Sequence, residues 1–156
     1  MLARESTRIF GEMPLVSKVH KISWEDFDNY VLELYGEITN TPWVPEHIVG
    51  LARGGLPLAV SLSHLFEVPM TAVNWQTRDG KLQESFQVPP NTLVVDDIND
   101  SGHTLKSFMS EQKNTSYKVP RTAVLINKPG SVYNVDYTAW ESSYDHDIWF
   151  QFPWEK

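Results

Sequence analysis

Apolar positions recur along the chain with two periods, one helical and one of short continuous runs, and the two interleave. From Ser23, the residues Trp24, Phe27, Val31, Leu34, Tyr35 and Ile38 fall at helical spacing. Ser23 and Asp26 resemble a capping box at the start of that helix, with Asp where Glu is more usual. Asn40, Pro42 and Pro45 end it. Residues 47–52 read as a short buried strand, Arg53-Gly54-Gly55 as a turn, and Pro57 as a first-turn residue of a second helix carrying Leu58, Leu62, Leu65 and Phe66. Residues 69–75 read as a second strand, and the polar, turn-rich stretch 76–90 as a loop. A third strand, 92–95, ends on Asp96-Asp97. A loop then leads to His103 and a third helix runs to about Glu111, with Leu105, Phe108 and Met109 on one face. Residues 121–127 and 136–140 read as a fourth and fifth strand, and the aromatic tail 148–154 as irregular.

Strands alternating with helices predict an α/β fold: a mainly parallel, twisted sheet flanked by helices on both faces. Strands buried on both faces should be continuously apolar. Leu93-Val94-Val95 and Ala123-Val124-Leu125-Ile126 are. Ligands of such sheets bind in the crevice beyond the carboxyl ends of the strands. The polar residues that follow each strand are therefore the candidates for chemistry.

The 156 residues suit one compact domain, and a hydrophobic content of 41% can supply its core. Residues 1–18 carry no readable pattern and are set apart as an extension, leaving 19–156 as the single domain. The start has no continuous apolar run, so no signal peptide is expected. No apolar stretch approaches the roughly 20 residues that would span a bilayer. The net charge of −7, with Lys and Arg scattered, argues against nucleic acid as a partner. Absence of cysteine removes disulfides, thiolate metal sites and a thiol nucleophile, and fits a cytoplasmic location.

The segment LVVDDINDSGHTL, residues 93–105, concentrates the chemistry. A strand delivers Asp96 and Asp97, a small polar loop of Asp100, Ser101, Gly102, His103 and Thr104 follows, and a helix begins. Amide N–H groups at a helix start carry partial positive charge and favour an anion. Gly102 allows close backbone approach, while Ser101 and Thr104 add hydroxyl donors. Carboxylates beside an anion cradle make sense for a sugar phosphate: they accept hydrogen bonds from vicinal hydroxyls or hold Mg²⁺. No Gly-Lys-Ser/Thr run is present, so this is not a Walker A loop.

This segment resembles the phosphoribosyl pyrophosphate (PRPP) motif of type I phosphoribosyltransferases, in which four apolar residues precede two acidic ones and a Thr/Ser-Gly-x-Thr turn closes the loop. Residues 49–59, VGLARGGLPLA, resemble the family's pyrophosphate loop, with Arg53 and Gly54 as the binding residues. Lys128, in INKPG, resembles the lysine of the 6-oxopurine enzymes that donates to the exocyclic oxygen of the base. Lysine offers donors only, so adenine, with an amino donor at that place, would be rejected. The ending DIWFQFPWE resembles that of short xanthine-guanine and hypoxanthine phosphoribosyltransferases. There Trp149 would stack on the purine and the backbone carbonyl of Phe150 would meet the base edge.

The resemblance covers about residues 20–156. It implies a small hood of N- and C-terminal segments over the sheet, Mg²⁺ as cofactor and a homodimer or homotetramer. It implies a Mg²⁺-dependent transferase of purine salvage, with PRPP and a purine base as its small-molecule substrates. In that reading residues 100–104 bind the 5-phosphate, Asp96 and Asp97 hold ribose hydroxyls with Asp97 the metal contact, and Asp100 is the catalytic base. A PRPP-responsive regulatory protein, or a transferase for a non-purine acceptor, remains the alternative. The chain departs from the family in its mobile loop: 74–90 has no Ser-Tyr pair and offers Trp75, Arg78, Asp79 and Lys81. Ser143-Tyr144, with Asp145-His146-Asp147 behind it, lies elsewhere and reads as a solvated loop.

Overall fold

The protein is represented by a computed structural model that describes residues 18–75, 86–112, 120–143 and 148–155. The elements run β1 (Lys18–Lys21), α1 (Trp24–Thr39), β2 (His47–Ala52), α2 (Leu56–Phe66), β3 (Met70–Asn74), β4 (Thr92–Asn99), α3 (His103–Ser110), β5 (Arg121–Asn127), β6 (Tyr137–Glu141) and β7 (Ile148–Gln151). Five strands form one parallel sheet in the order β3-β2-β4-β5-β6. After β2 the chain steps outward to the edge strand β3, and then returns to place β4 on the other side of β2. That reversal opens a crevice at the carboxyl ends of β2 and β4, where doubly wound sheets take their ligands.

Local signals start the elements as expected. At α1 the Ser23 hydroxyl accepts the Asp26 amide at 2.9 Å, and the Asp26 carboxylate accepts the Ser23 amide at 2.9 Å. These bonds lower the Asp26 pKa. The apolar stripe of α1 buries Phe27, Val31, Leu34 and Ile38 against one face of the sheet together with Leu58, Ala59 and Leu62 of α2. The opposite face is closed by α3, whose Leu105 and Phe108 pack with Val49, Leu51, Val94 and Val124. At the amino ends of the strands, Arg121 donates to the Tyr137 hydroxyl at 2.7 Å and lies 4.9 Å above the Trp43 ring.

Two expectations need correcting. The third strand runs to Asn99, four residues beyond Val95, because Ile98 and Asn99 stay in register with Ile126 and Asn127. The acid pair therefore sits inside β4 rather than after it. The tail is not irregular: Ile148–Gln151 is a strand pairing in parallel with Lys18–Lys21. A four-residue strand is too short to show a period, and its partner lies at the other end of the chain, in a polar stretch that no pattern marks. This two-stranded piece is the expected hood. His20 and Phe150, paired across it, turn their rings toward Trp140 at 5.3 and 5.5 Å between centroids.

Phe108 is fully buried and roots α3 on the sheet. Phe108→Ala is expected to lower the unfolding free energy by about 3–5 kcal/mol, measured from urea melts.

Candidate functional site

Three neighbouring strands, β2, β4 and β5, end side by side, and each hands one group of polar residues to the same rim. β4 supplies Asp96 and Asp97. The Asp97 amide donates to the Asp96 carboxylate at 2.9 Å, and the Ile98 amide to the Asp97 carboxylate at 2.7 Å. Loss of water pushes Asp96 well above the ordinary carboxylate range, and the adjacent Asp97 charge adds to the rise. Desolvation likewise pushes Asp97 up to about 6, with a further contribution from Glu155. These are carboxylates held ready for hydrogen-bond donors or a cation, since either would offset what burial costs.

β2 supplies Arg53 and Gly54. The Ala52–Arg53 peptide, which leads into Arg53-Gly54, is cis. Gly54 lies directly against the Asp97 carboxylate: a Cβ there would stand 2.7 Å from its Cγ. The absence of a side chain is thus what lets the loop after β2 meet the acids of β4. Arg53, which precedes Gly54 in the chain, is exposed.

The loop after β4 closes over a cavity of about 220 Å³ lined by residues 96–102 with Thr104 and Leu105. Gly102 has φ 93°, a left-handed conformation, and a Cβ would stand 2.7–2.8 Å from the amides of Val132 and Tyr133. Ser101 accepts the His103 amide on its hydroxyl at 3.3 Å and the Val132 amide on its carbonyl at 2.9 Å. The Lys106 amide donates to the Gly102 carbonyl at 3.0 Å, so the amides of the first turn of α3 precede any intrahelical acceptor. They begin within the 100–104 segment that the sequence marked as a candidate anion cradle.

β5 supplies Lys128, only 6% exposed. Its ammonium lies 3.5 Å from the Asp100 carboxylate, donates to the Ile148 carbonyl at 3.1 Å and sits 5.6 Å from the Phe150 ring centroid. Asp100 and Lys128, read separately from sequence, are therefore brought together. Trp149, on the hood strand, is partly exposed, whereas the Phe150 side chain belongs to the core. Sequence reasoning missed the Ile148 carbonyl, the 131–133 turn against Gly102 and the Glu155 carboxylate, whose charge is felt at Asp97. A carbonyl leaves no trace in residue type, and Glu155 needed the fold of the tail to bring it near.

Arg78, Asp79 and Lys81, and the stretch 144–147, lie outside the described residues. Among the described residues no group of three His, Asp or Glu side chains could hold a metal by itself. Two desolvated carboxylates do suit Mg²⁺, which takes one or two carboxylates and completes its shell with substrate oxygens and water.

The raised Asp97 pKa makes stability depend on pH. Its folded value of about 6 lies above the 3.8 of an ordinary aspartate, so its contribution to stability is present below pH 4 and is lost as pH rises through 6. Asp97→Asn removes the half-buried charge. It is expected to stabilise the unliganded protein by an increment that is small at pH 4 and grows up to pH 7, measured as the difference between the two urea melts.

A phosphoribosyl transferase domain model matches residues 23–155. A purine phosphoribosyltransferase from Pyrococcus horikoshii is 27% identical, with 90% of this chain and 95% of that one covered and a TM-score of 0.72. A xanthine-guanine-hypoxanthine phosphoribosyltransferase from Helicobacter pylori is also 27% identical, covering 88% and 93% at a TM-score of 0.76. The orotate phosphoribosyltransferase of Aeropyrum pernix, 20% identical over 76% of this chain and 73% of that one at a TM-score of 0.58, shares the fold. With the acid pair, the cradle and the glycine turn at one rim of such a sheet, the chain belongs to the phosphoribosyl transferase domain family.

Proposed function

We propose that the protein transfers the 5-phosphoribosyl group of PRPP to a 6-oxopurine base, releasing pyrophosphate, with Mg²⁺. The observation that carries this reading is the buried Lys128 ammonium, held between Asp100 and the hood strand that bears Trp149. It offers donors only, matching the exocyclic oxygen of hypoxanthine, guanine or xanthine and opposing the amino group of adenine.

In this reading the cradle 100–104 holds the 5-phosphate through the amides at the start of α3 and the Ser101 and Thr104 hydroxyls. Asp96 and Asp97 accept from the ribose hydroxyls, which would restore the hydrogen bonding they lost with water. Asp96 and Asp97, Asp97 above all, would hold Mg²⁺ together with substrate oxygens, and the ion supplies positive charge for the departing pyrophosphate. Arg53 and the Gly54 amide meet that leaving group from β2. Trp149 stacks on the base and the Phe150 carbonyl meets its edge, while Lys128 fixes its orientation. As the base nitrogen bonds to C1 of the ribose, the C1–pyrophosphate bond breaks and Asp100 takes the proton from N7. Positioning and charge stabilisation do the work without a covalent intermediate.

The reading is tested by pyrophosphate release from PRPP and Mg²⁺ with hypoxanthine, guanine, xanthine, adenine, uracil and orotate in turn. Turnover is expected with one or more 6-oxopurines and little with adenine; turnover with orotate or adenine alone would refute the assignment to Lys128. Asp100→Asn is expected to lower kcat by roughly 10²–10⁴-fold while calorimetric PRPP affinity is retained. Equal loss of both would remove Asp100 from the role of base.

A further inference from the structure

The residues that precede Asp100 and Lys128 are both asparagines, and they are bonded to each other. Asn99 and Asn127 are register partners at the ends of β4 and β5, and Asn127 is in turn the register partner of Glu141 on β6. The Asn99 side-chain amide donates to the Asn127 side-chain oxygen at 2.8 Å and to the Tyr133 carbonyl at 2.8 Å. The Asn127 side-chain amide donates to the two Glu141 carboxylate oxygens at 3.2 and 3.1 Å. A single directed chain of side-chain bonds thus crosses the carboxyl ends of three strands. Backbone bonds run alongside it: the Lys128 amide donates to the Asn99 carbonyl at 3.0 Å, and the Ser142 amide to the Asn127 carbonyl at 2.9 Å.

Stability alone does not account for this chain. Asn99 is 2% exposed, and its side-chain oxygen is buried without a partner. Its orientation is fixed, because both acceptors face the nitrogen. An apolar pair at 99 and 127 would fill the same space and leave no orphaned acceptor. What an apolar pair would not do is fix direction. The two amides hold the ends of β4 and β5 at one separation, and the next residue on each strand is half of the Asp100–Lys128 pair.

We propose that Asn99 and Asn127 are positioning residues that set the spacing between Asp100 and Lys128, and that Glu141 holds Asn127 in the required orientation. The inference rests on the phosphoribosyl-transfer reading. It goes beyond that reading by assigning catalytic geometry to side chains that touch no substrate.

Asn127→Asp keeps the acceptor for Asn99 but sets a carboxylate against Glu141. Glu141→Gln alone keeps an acceptor for Asn127, and the double variant rebuilds the chain with the second bond reversed. With the wild type turning over a 6-oxopurine, N127D is expected to lower kcat by about tenfold, since small misplacements of reacting groups cost at least that much. KM for PRPP should stay within about twofold, because the cradle amides lie on the other side of Asp100. Adding E141Q should return kcat to within about twofold of wild type, and E141Q alone should change little. Unchanged kcat in a folded N127D, a kcat that E141Q fails to restore, or a rise confined to KM for PRPP would each overturn the proposal. Were N127D unable to fold by urea melt, Glu141→Lys decides. It lies on the exposed end of the chain and turns the Asn127 amide about, so a fall in kcat of about threefold or more supports the proposal and wild-type kcat overturns it. A wild type inactive with every base would instead remove the transfer reading itself, and the inference with it.

Discussion

Two largely desolvated carboxylates in the carboxyl half of the central strand are the constraint around which the site is organised. Asp96 and Asp97 are adjacent in sequence, desolvated and shifted upward in pKa, with Gly54 packed directly on Asp97 and Glu155 adding negative potential. Burial of this kind is unfavourable for a lone folded chain, and the sheet beneath has to hold it. β4 does so because it lies between β2 and β5 and is apolar through Leu93–Val95, with every one of those side chains out of contact with solvent. A rigid strand with charge in its carboxyl half is a suitable mount for a polyhydroxyl, cation-linked substrate, since such a ligand would restore the hydrogen bonding and counter-charge that folding removed.

From that mount the rest follows by topology. The step from β2 out to β3 and back to β4 leaves the ends of β2 and β4 adjacent with a crevice between them. Arg53 and Gly54 enter from one side and the 100–104 loop from the other. β5 then carries Lys128 into the same rim, and the hood strand β7 reaches it through the Ile148 carbonyl. Each group arrives on the end of a strand or in the first turn of a helix, so the precision of the site comes from the packing of the sheet. The fold alone does not choose the base, since an orotate enzyme shares it. In the proposed reading, that choice rests on single donors and acceptors such as Lys128.

Much of this was legible in the sequence because the signals are local. The α1 stripe and its capping box, the apolar runs of β4 and β5, and the acid pair followed by Ser-Gly-x-Thr each occupy a few consecutive residues and need no partner to be recognised. The length of β4 was not legible, because Ile98 and Asn99 continue the strand only by pairing with Ile126 and Asn127. Nor was β7, whose four residues find their partner at the opposite end of the chain.

The sequence by itself determined the parallel α/β architecture, the helix starts, and the chemical kind of residue that follows each strand. These depend on periodicity, caps and side-chain chemistry, which act over one or two turns of chain. The tertiary structure decided which of those residues meet: Gly54 with Asp97, Lys128 with Asp100 and the Ile148 carbonyl, Gly102 with the 131–133 turn, and Asn99 with Asn127 and Glu141. Such meetings are set by strand order and register, which join residues far apart in the chain and leave no mark on the composition of either partner.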